Sequence, residues 1–192
     1  MILSNVAIVD AIQDKKIKIE PLESLDPALP PFNTTSIDLR LAPTISEPIK
    51  KKEVLVRPSV GGIARLLANN SETEEITQKR PIILKPNFFI LAQTKEKVDF
   101  PISEDETSAC YCARVEGKSS LARCGLLVHF TAPTIHAGFK GPITLEIINL
   151  GPYDILLEAD MYICQLIIEE VKGIPRLTPS QFRGQTTPIG NQ

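Results

Sequence analysis

Two stretches of the sequence carry the residue types that chemistry needs. In EGKSSLARCG, residues 116 to 125, Lys118, Ser119, Ser120 and Arg123 stand close together. Arginine can clamp a phosphate through two parallel N–H donors while lysine supplies a point charge, and hydroxyls with nearby backbone N–H groups would complete a compact anion site. The same residues also suit a capped helical turn with solvated charges. It is no Walker loop, because G-x-x-x-x-G-K-[ST] needs an earlier glycine that this chain lacks. In HAGFKGPITLEIIN, residues 136 to 149, a glycine-bounded turn carrying Phe139 runs into a strand pattern. Period two puts Ile143, Leu145 and Ile147 on one face and Thr144, Glu146 and Ile148 on the other. A carboxylate flanked in this way either faces solvent or sits in a pocket. If it is buried, desolvation raises its pKa and makes it a usable general acid or base near neutrality.

Other chemistries find little support. His129 and His136 are the only histidines, and neither belongs to the H-x-E and P-C-x-x-C signature of zinc nucleobase deaminases. Three well-spaced zinc ligands cannot be assembled, and no G-x-S-x-G elbow offers a serine nucleophile. The four cysteines, Cys110, Cys112, Cys124 and Cys164, show no C-x-x-C spacing and are expected to be small buried hydrophobes without disulfide or metal.

The elements that must position these groups read mostly as strands. A chain of 192 residues makes one domain, or one domain with an appended arm. Twenty-one Lys and Arg against 23 Asp and Glu give a net charge of -2, which leaves no global basic field for nucleic acid or a membrane surface. No apolar run approaches the ~20 residues of a bilayer span, and MILSNVAIVDAIQDKK lacks the design of a secretory signal, so a cytoplasmic location is expected. Ser4 is a fair N-cap for a helix over residues 5 to 14 with Val6, Val9 and Ile12 near one face. KIKIEP and SIDLRL alternate as strands, and the proline-rich LESLDPALPPFN between them reads as a fixed loop. Residues 61 to 79 start with a helical turn and then become polar and loop-like. Strand patterns resume at PIILKPNFFILAQT, CYCARVE, GLLVHF, PITLEIINL, DILLE and MYICQLIIEEV, which argues for a sandwich or barrel. The final IPRLTPSQFRGQTTPIGNQ is too poor in large apolar residues to pack as a core element and by itself reads as a frayed tail.

Read together, these segments resemble the dCTP deaminase family, which shares its fold with the trimeric dUTPases. MILSNVAIVDAI, IEPLESLDP with SIDLRL, and FFILAQTKEKV resemble the family's opening blocks in order. EGKSSLARCGLLVHFTAPTIHAGFKGPITLEIINLG matches its most diagnostic region almost continuously, and MYICQLIIEEV and QFRGQTTP resemble the last blocks. The resemblance covers most of the chain outside residues 44 to 80. It implies a distorted β-barrel or jelly-roll of the dUTPase-like, β-clip type over residues 1 to 172, with a short N-terminal helix. Residues 173 to 192 would then be a flexible C-terminal arm that closes as a lid over nucleotide. It also implies homotrimers with sites at subunit interfaces.

Further implications concern the reaction. The resemblance implies zinc-independent hydrolysis of dCTP to dUTP and ammonia, with Glu146 as general base and acid and with Ser119 and Arg123 orienting water and stabilising charge. Lys118, Ser119, Ser120 and Arg123 would hold the phosphates, main-chain groups around Thr131 and Ala132 would read the base edge, and Phe139 would pack on the deoxyribose. Thr144, Leu145, Gln165, Gln181, Phe182, Arg183 and Gln185 complete the implied nucleotide-binding set. Magnesium would arrive with the triphosphate, and dTTP would be a candidate feedback inhibitor.

The chain departs from the family pattern at three places. His136 stands where an aspartate is usual before the Gly-aromatic turn; it can still hydrogen-bond a sugar, but it is a poorer base for a dUTPase step. Gln181 replaces a common lysine, and the segment after Gln165 is shorter, with no evident tyrosine match. The alternatives are a bifunctional deaminase and dUTPase giving dUMP and diphosphate, a plain dUTPase, or a non-catalytic nucleotide-binding homologue.

Overall fold

Strands that are apolar on one face must bury that face against another layer, and the chain does so with two antiparallel sheets around one core. The computed structural model describes residues 1–49, 55–57, 62–103, 108–177 and 187–189. One sheet runs in the order β10 (Thr134–Ile135), β8 (Cys110–Gly117), β13 (Tyr162–Val171), β3 (Ser36–Arg40) and β2 (Phe32–Asn33). The second runs β5 (Ser71–Glu75), β4 (Thr44–Pro48), β7 (Phe89–Asp99), β11 (Lys140–Asn149) and β9 (Leu126–Val128), with β1 (Lys18–Glu20) also paired to β7. A separate ribbon joins β6 (Ile82–Leu84) to β12 (Ile155–Leu157). The expected mostly β architecture with a short N-terminal helix is therefore present.

Ile37, Leu39, Ala113, Val115, Leu166 and Ile168 of the first sheet and Ile90, Ala92, Ile143, Leu145 and Ile147 of the second are all fully buried or nearly so. Each such large aliphatic side chain contributes roughly 1.5–3 kcal/mol by leaving water. Helix α1 (Asn5–Gln13) starts where Ser4 accepts a hydrogen bond from the Ala7 N–H. Its buried residues are Ile8, Val9 and Ala11, while Val6 is exposed, contrary to the expected Val6–Val9–Ile12 stripe. The reason is tertiary: Leu3 N–H donates to Ile168 O, and this docking of the chain start fixes which side of the helix meets the sheet.

Residues 61 to 79 also differ from the expected polar loop. Helix α2 (Ile63–Asn69) leads into β5, an edge strand paired in full register with β4. Its sequence SETEE shows no apolar alternation; backbone hydrogen bonds and a 2.9 Å contact between the Ser46 and Thr73 hydroxyls hold it. Its charges suit an edge, where they discourage further strand addition. All four cysteines are free. Cys110 and Cys164 are buried as expected, and burial pushes the Cys164 thiol up, but Cys112 is half-buried and Cys124 is exposed.

One buried ion pair clamps the two sheets. Arg40 at the end of β3 donates its Nε to Glu96 Oε1 at 2.6 Å, and its backbone N–H donates to Glu96 Oε2 at 2.7 Å. The Glu96 side chain is only 2% exposed, so Arg40 rather than water faces its oxygens. Arg40→Met should therefore destabilise the protein by about 3 kcal/mol, because it strands a buried carboxylate, and Arg40→Met with Glu96→Leu should recover part of that loss; urea unfolding of the three proteins checks both.

Candidate active site

Glu146 lies in the middle of β11, and the burial of that strand follows the alternation its sequence shows. Ile143, Leu145 and Ile147 enter the core, while Thr144, Glu146 and Ile148 are half-buried on the other face. The Glu146 side chain is 35% exposed, and its Oε2 stands 2.9 Å from Nδ1 of His129, whose side chain is 8% exposed. His129 is placed by backbone. It follows β9, its φ of 53° lies in the left-handed region, and its N–H donates to Glu146 O at 2.8 Å. This bend turns the imidazole towards the neighbouring strand. The two atoms stand within ion-pair distance without the alignment of a hydrogen bond, and Glu146 Oε2 and both His129 ring nitrogens are buried with no hydrogen-bond partner.

Burial alone pushes the Glu146 carboxyl up, the direction expected from its sequence context. Contact with His129 and attraction to its ring more than offset this, and the net direction is down from the ordinary glutamate value. The expectation of a raised pKa is thereby corrected: the carboxylate form is favoured, which is the form a general base needs.

The anion-type segment forms a second cluster at the edge of the other sheet. Lys118 follows β8 and precedes the single turn α3 (Ser119–Ala122), with no side-chain cap on that turn. Its Nζ pairs with Asp38 Oδ2, while Asn33 Nδ2 donates to Asp38 Oδ1 at 3.0 Å. The ammonium also stands 5.7 Å from the Tyr162 ring centroid. Gln165, opposite both Asp38 and Glu116, donates Nε2 to Gly117 O at 3.3 Å and accepts from the Ser36 hydroxyl at 3.1 Å. Ser119, Ser120 and Arg123 are exposed, and Arg123 folds back to donate Nη1 to Ser119 O at 2.7 Å.

Glycine at 125 and at 151 fixes this turn against the end of β11. A Cβ on Gly125, whose φ is 90°, would come within 2.2 Å of Gly151 N, and one on Gly151 within 1.9 Å of Cys124 O. Leu150 N–H donates to Gly125 O at 2.8 Å in the space so left. Asn149, fully buried, ties the same corner to the β6–β12 ribbon by donating Nδ2 to Leu84 O at 2.9 Å and to Tyr153 O at 2.7 Å.

The remaining sequence candidates are dispersed. Thr131 and Ala132 lie in an exposed loop after His129. His136 is exposed at a turn where its carbonyl accepts from the Phe139 N–H at 3.1 Å, and Phe139 packs partly buried against the core. Leu145 has its side chain in the core, so only its main chain can meet a ligand; this narrows its implied role. Gln181, Phe182, Arg183 and Gln185 lie outside the described residues. Among the described residues no hydrogen bond or ion pair joins Glu146 to Lys118, Ser119 or Arg123. His129 as the partner of Glu146 and Asp38 as the partner of Lys118 were not singled out from sequence. Asp38 had one signal, its place on the face of SIDLRL opposite Ile37 and Leu39.

Comparison with known proteins places the chain's sequence in a family. The dCTP deaminase-like family model matches residues 2–171. A dCTP deaminase of Halorubrum lacusprofundi is 32% identical over 173 residues, covering 90% of this chain and 79% of that protein. A dUMP-forming dCTP deaminase of Halobacterium salinarum is 33% identical over 177 residues, covering 89% of this chain and 81% of that protein. The solved 2'-deoxycytidine 5'-triphosphate deaminase of Agrobacterium tumefaciens superposes with a TM-score of 0.63 at 20% identity over 87% of this chain, although this chain spans only 47% of that one, and it bears on the fold alone. Both β sheets, Lys118 and the strand that carries Glu146 fall within the matched residues, and the chain belongs to the dCTP deaminase-like family.

Proposed function

We propose that the chain is an enzyme that hydrolyses dCTP to dUTP and ammonia without zinc. The observation that supports this best is the pairing of a half-buried carboxylate with a buried imidazole whose polar atoms lack hydrogen-bond partners. Among the described residues, five buried side-chain atoms lack a partner, and four of them belong to Gln93, His129 and Glu146 on or beside adjoining strands. Each unpaired buried polar group calls for a reason, such as a catalytic role or a bound water, and four of the five fall on three residues.

In the proposed reaction Glu146, already favoured as carboxylate, takes a proton from water. The hydroxide attacks C4 of the cytosine and Glu146 delivers the first proton to N3, where it stays; Glu146 then takes the proton of the new C4 hydroxyl and passes it to the amino group as the C4–N bond breaks, so that water and dCTP become dUTP and ammonia. Ser119 and Arg123 would orient the water and stabilise developing charge, and Lys118 would exchange Asp38 for a phosphate oxygen. Magnesium would be carried by the triphosphate, as suits a cation that keeps much of its water. The phosphate cluster follows a strand of one sheet and Glu146 lies in a strand of the other, which fits a homotrimer in which neighbouring chains complete each site. His136, Phe139, Thr131, Ala132, Thr144 and Gln165 would contact sugar, base or phosphate, and the arm carrying Gln181, Phe182, Arg183 and Gln185 would close over them.

A second reading has its own support. The Halobacterium relative is named as dUMP-forming, which favours a chain that also cleaves the triphosphate, whereas His136 in place of the usual aspartate weighs against that step. Incubation with dCTP and magnesium, with ammonia, dUTP, dUMP and diphosphate quantified together, separates them. Ammonia matched by dUTP is expected; dUMP with diphosphate would establish the second reading, and bound dCTP without product would reject both. Glu146→Gln should lower kcat by about 10²–10⁴-fold while leaving dCTP binding largely intact.

The acid side of the pH profile tests His129. Because His129 holds the Glu146 pKa down, the base form survives to lower pH than a carboxylate shifted by burial alone, and activity is lost as pH falls through that lowered pKa. His129→Asn, which tolerates the left-handed backbone, should move the acid limb of kcat/KM to higher pH. An unmoved limb would show that His129 does not set the Glu146 charge.

A further inference from the structure

No step above uses Gln93, yet it shares the face of the reacting carboxylate. On the β7–β11 ladder Gln93 is directly opposite Thr144, and Leu91 is directly opposite Glu146. Directly opposed residues of an antiparallel pair project to the same face, and diagonal neighbours lie about 7–8 Å apart. The Gln93 side chain therefore stands one diagonal step from Glu146, while the alternate residues Ala92, Leu145 and Ile147 fill the core. Gln93 is 6% exposed, and its Nε2 is buried without a hydrogen-bond partner. A buried amide donor left unpaired is costly in the free protein, and a ligand acceptor would remove that cost.

The position of Gln93 is fixed by its neighbours. Pro142 pairs with Lys97 and Thr144 with Gln93, so the single residue Ile143 opposes three residues of β7. Such an irregularity re-aims nearby side chains. Thr94 stabilises it: its hydroxyl accepts from the Ile143 N–H at 2.9 Å and donates to Glu96 O at 2.7 Å. On the other side, Gln93 O accepts from the Ala42 N–H at 2.9 Å. The backbone on both flanks of Gln93 is thus held.

We propose that Gln93 is a specificity-determining residue for the pyrimidine, its side-chain N–H donating to the 2-oxo oxygen of the ring. The proposal rests on the deaminase reading, because Glu146 working at N3 and C4 is what places the 2-oxo group towards Gln93. In cytosine the 2-oxo oxygen and the 4-amino group flank N3 on opposite sides, so one ring can meet a carboxylate at N3 and C4 and a donor on its far side. Deamination changes C4 and leaves the 2-oxo group untouched. Gln93 would therefore hold substrate, transition state and product alike, and its loss belongs in KM rather than in kcat.

The test compares dCTP with its 2-thio analogue, whose sulfur is a weak acceptor, on the full-length protein and on Gln93→Met, which keeps side-chain length without the donor. The expected result is a rise in KM for dCTP of about tenfold with kcat held within about twofold. The preference for dCTP over the 2-thio analogue, present in the wild type, should be lost in the variant. An unchanged KM, a preference retained by Gln93→Met, or a fall in kcat alone would each overturn the assignment. If Gln93→Met fails to fold, Gln93→Leu is put through the same comparison: it too offers no donor, so it should raise KM and abolish the preference. A wild-type protein that binds dCTP without releasing ammonia overturns the deaminase reading, and the Gln93 contact is then judged by the Kd values of the same two ligands on wild type and variant.

Discussion

The antiparallel pairing of β7 with β11 decides where the polar groups of the site stand. Its register sends Ala92, Leu145, Ile90 and Ile147 into the core, and the same register leaves Gln93, Thr144 and Glu146 on the other face. A slip of one residue would exchange those sets, burying a carboxylate in the core and exposing isoleucines. Core packing and site geometry are therefore set by one ladder. Thr94 and the Arg40–Glu96 pair stabilise its irregular segment, and Asn149 fastens its end to the β6–β12 ribbon.

How much of this could be read from the sequence depended on whether a feature is local. Period-two alternation in PITLEIINL separated Glu146 and Thr144 from the core positions, and Ser4 marked the start of α1. His129 was visible as a residue but not as a partner, because its approach to Glu146 requires the register of β9 on β11 and a left-handed bend, neither of which a hydrophobic period encodes. β5 escaped for the opposite reason, since SETEE is held by backbone pairing and carries no apolar signal. Sequence pattern speaks only to the burial that pushes the Glu146 carboxyl up, while the net lowering comes from His129, seventeen positions away.

Roles that the family resemblance implies, and that alternation does not encode, are qualified by the structure. Lys118 is not a waiting cation: it already has Asp38, with Asn33 and Gln165 bracing the pair. Leu145 can offer a ligand only backbone.

The two clusters differ in a way that bears on selectivity. At the phosphate end Lys118 and Asp38 satisfy each other, so binding a triphosphate there replaces one anion by another around the same ammonium, and the net gain is small. At the base end Gln93 Nε2 is buried without a partner, and Glu146 and His129 have only their mutual contact, so the unliganded protein carries part of the cost of their desolvation. A base that pairs with them removes that cost, and one that mismatches leaves it in place. Sites built with unmet hydrogen-bonding groups discriminate against ligands lacking the complementary group far more strongly than sites built on charge or apolar contact. Discrimination among nucleoside triphosphates is therefore expected to arise on the β7–β11 face, with the lysine cluster supplying an attraction common to all of them.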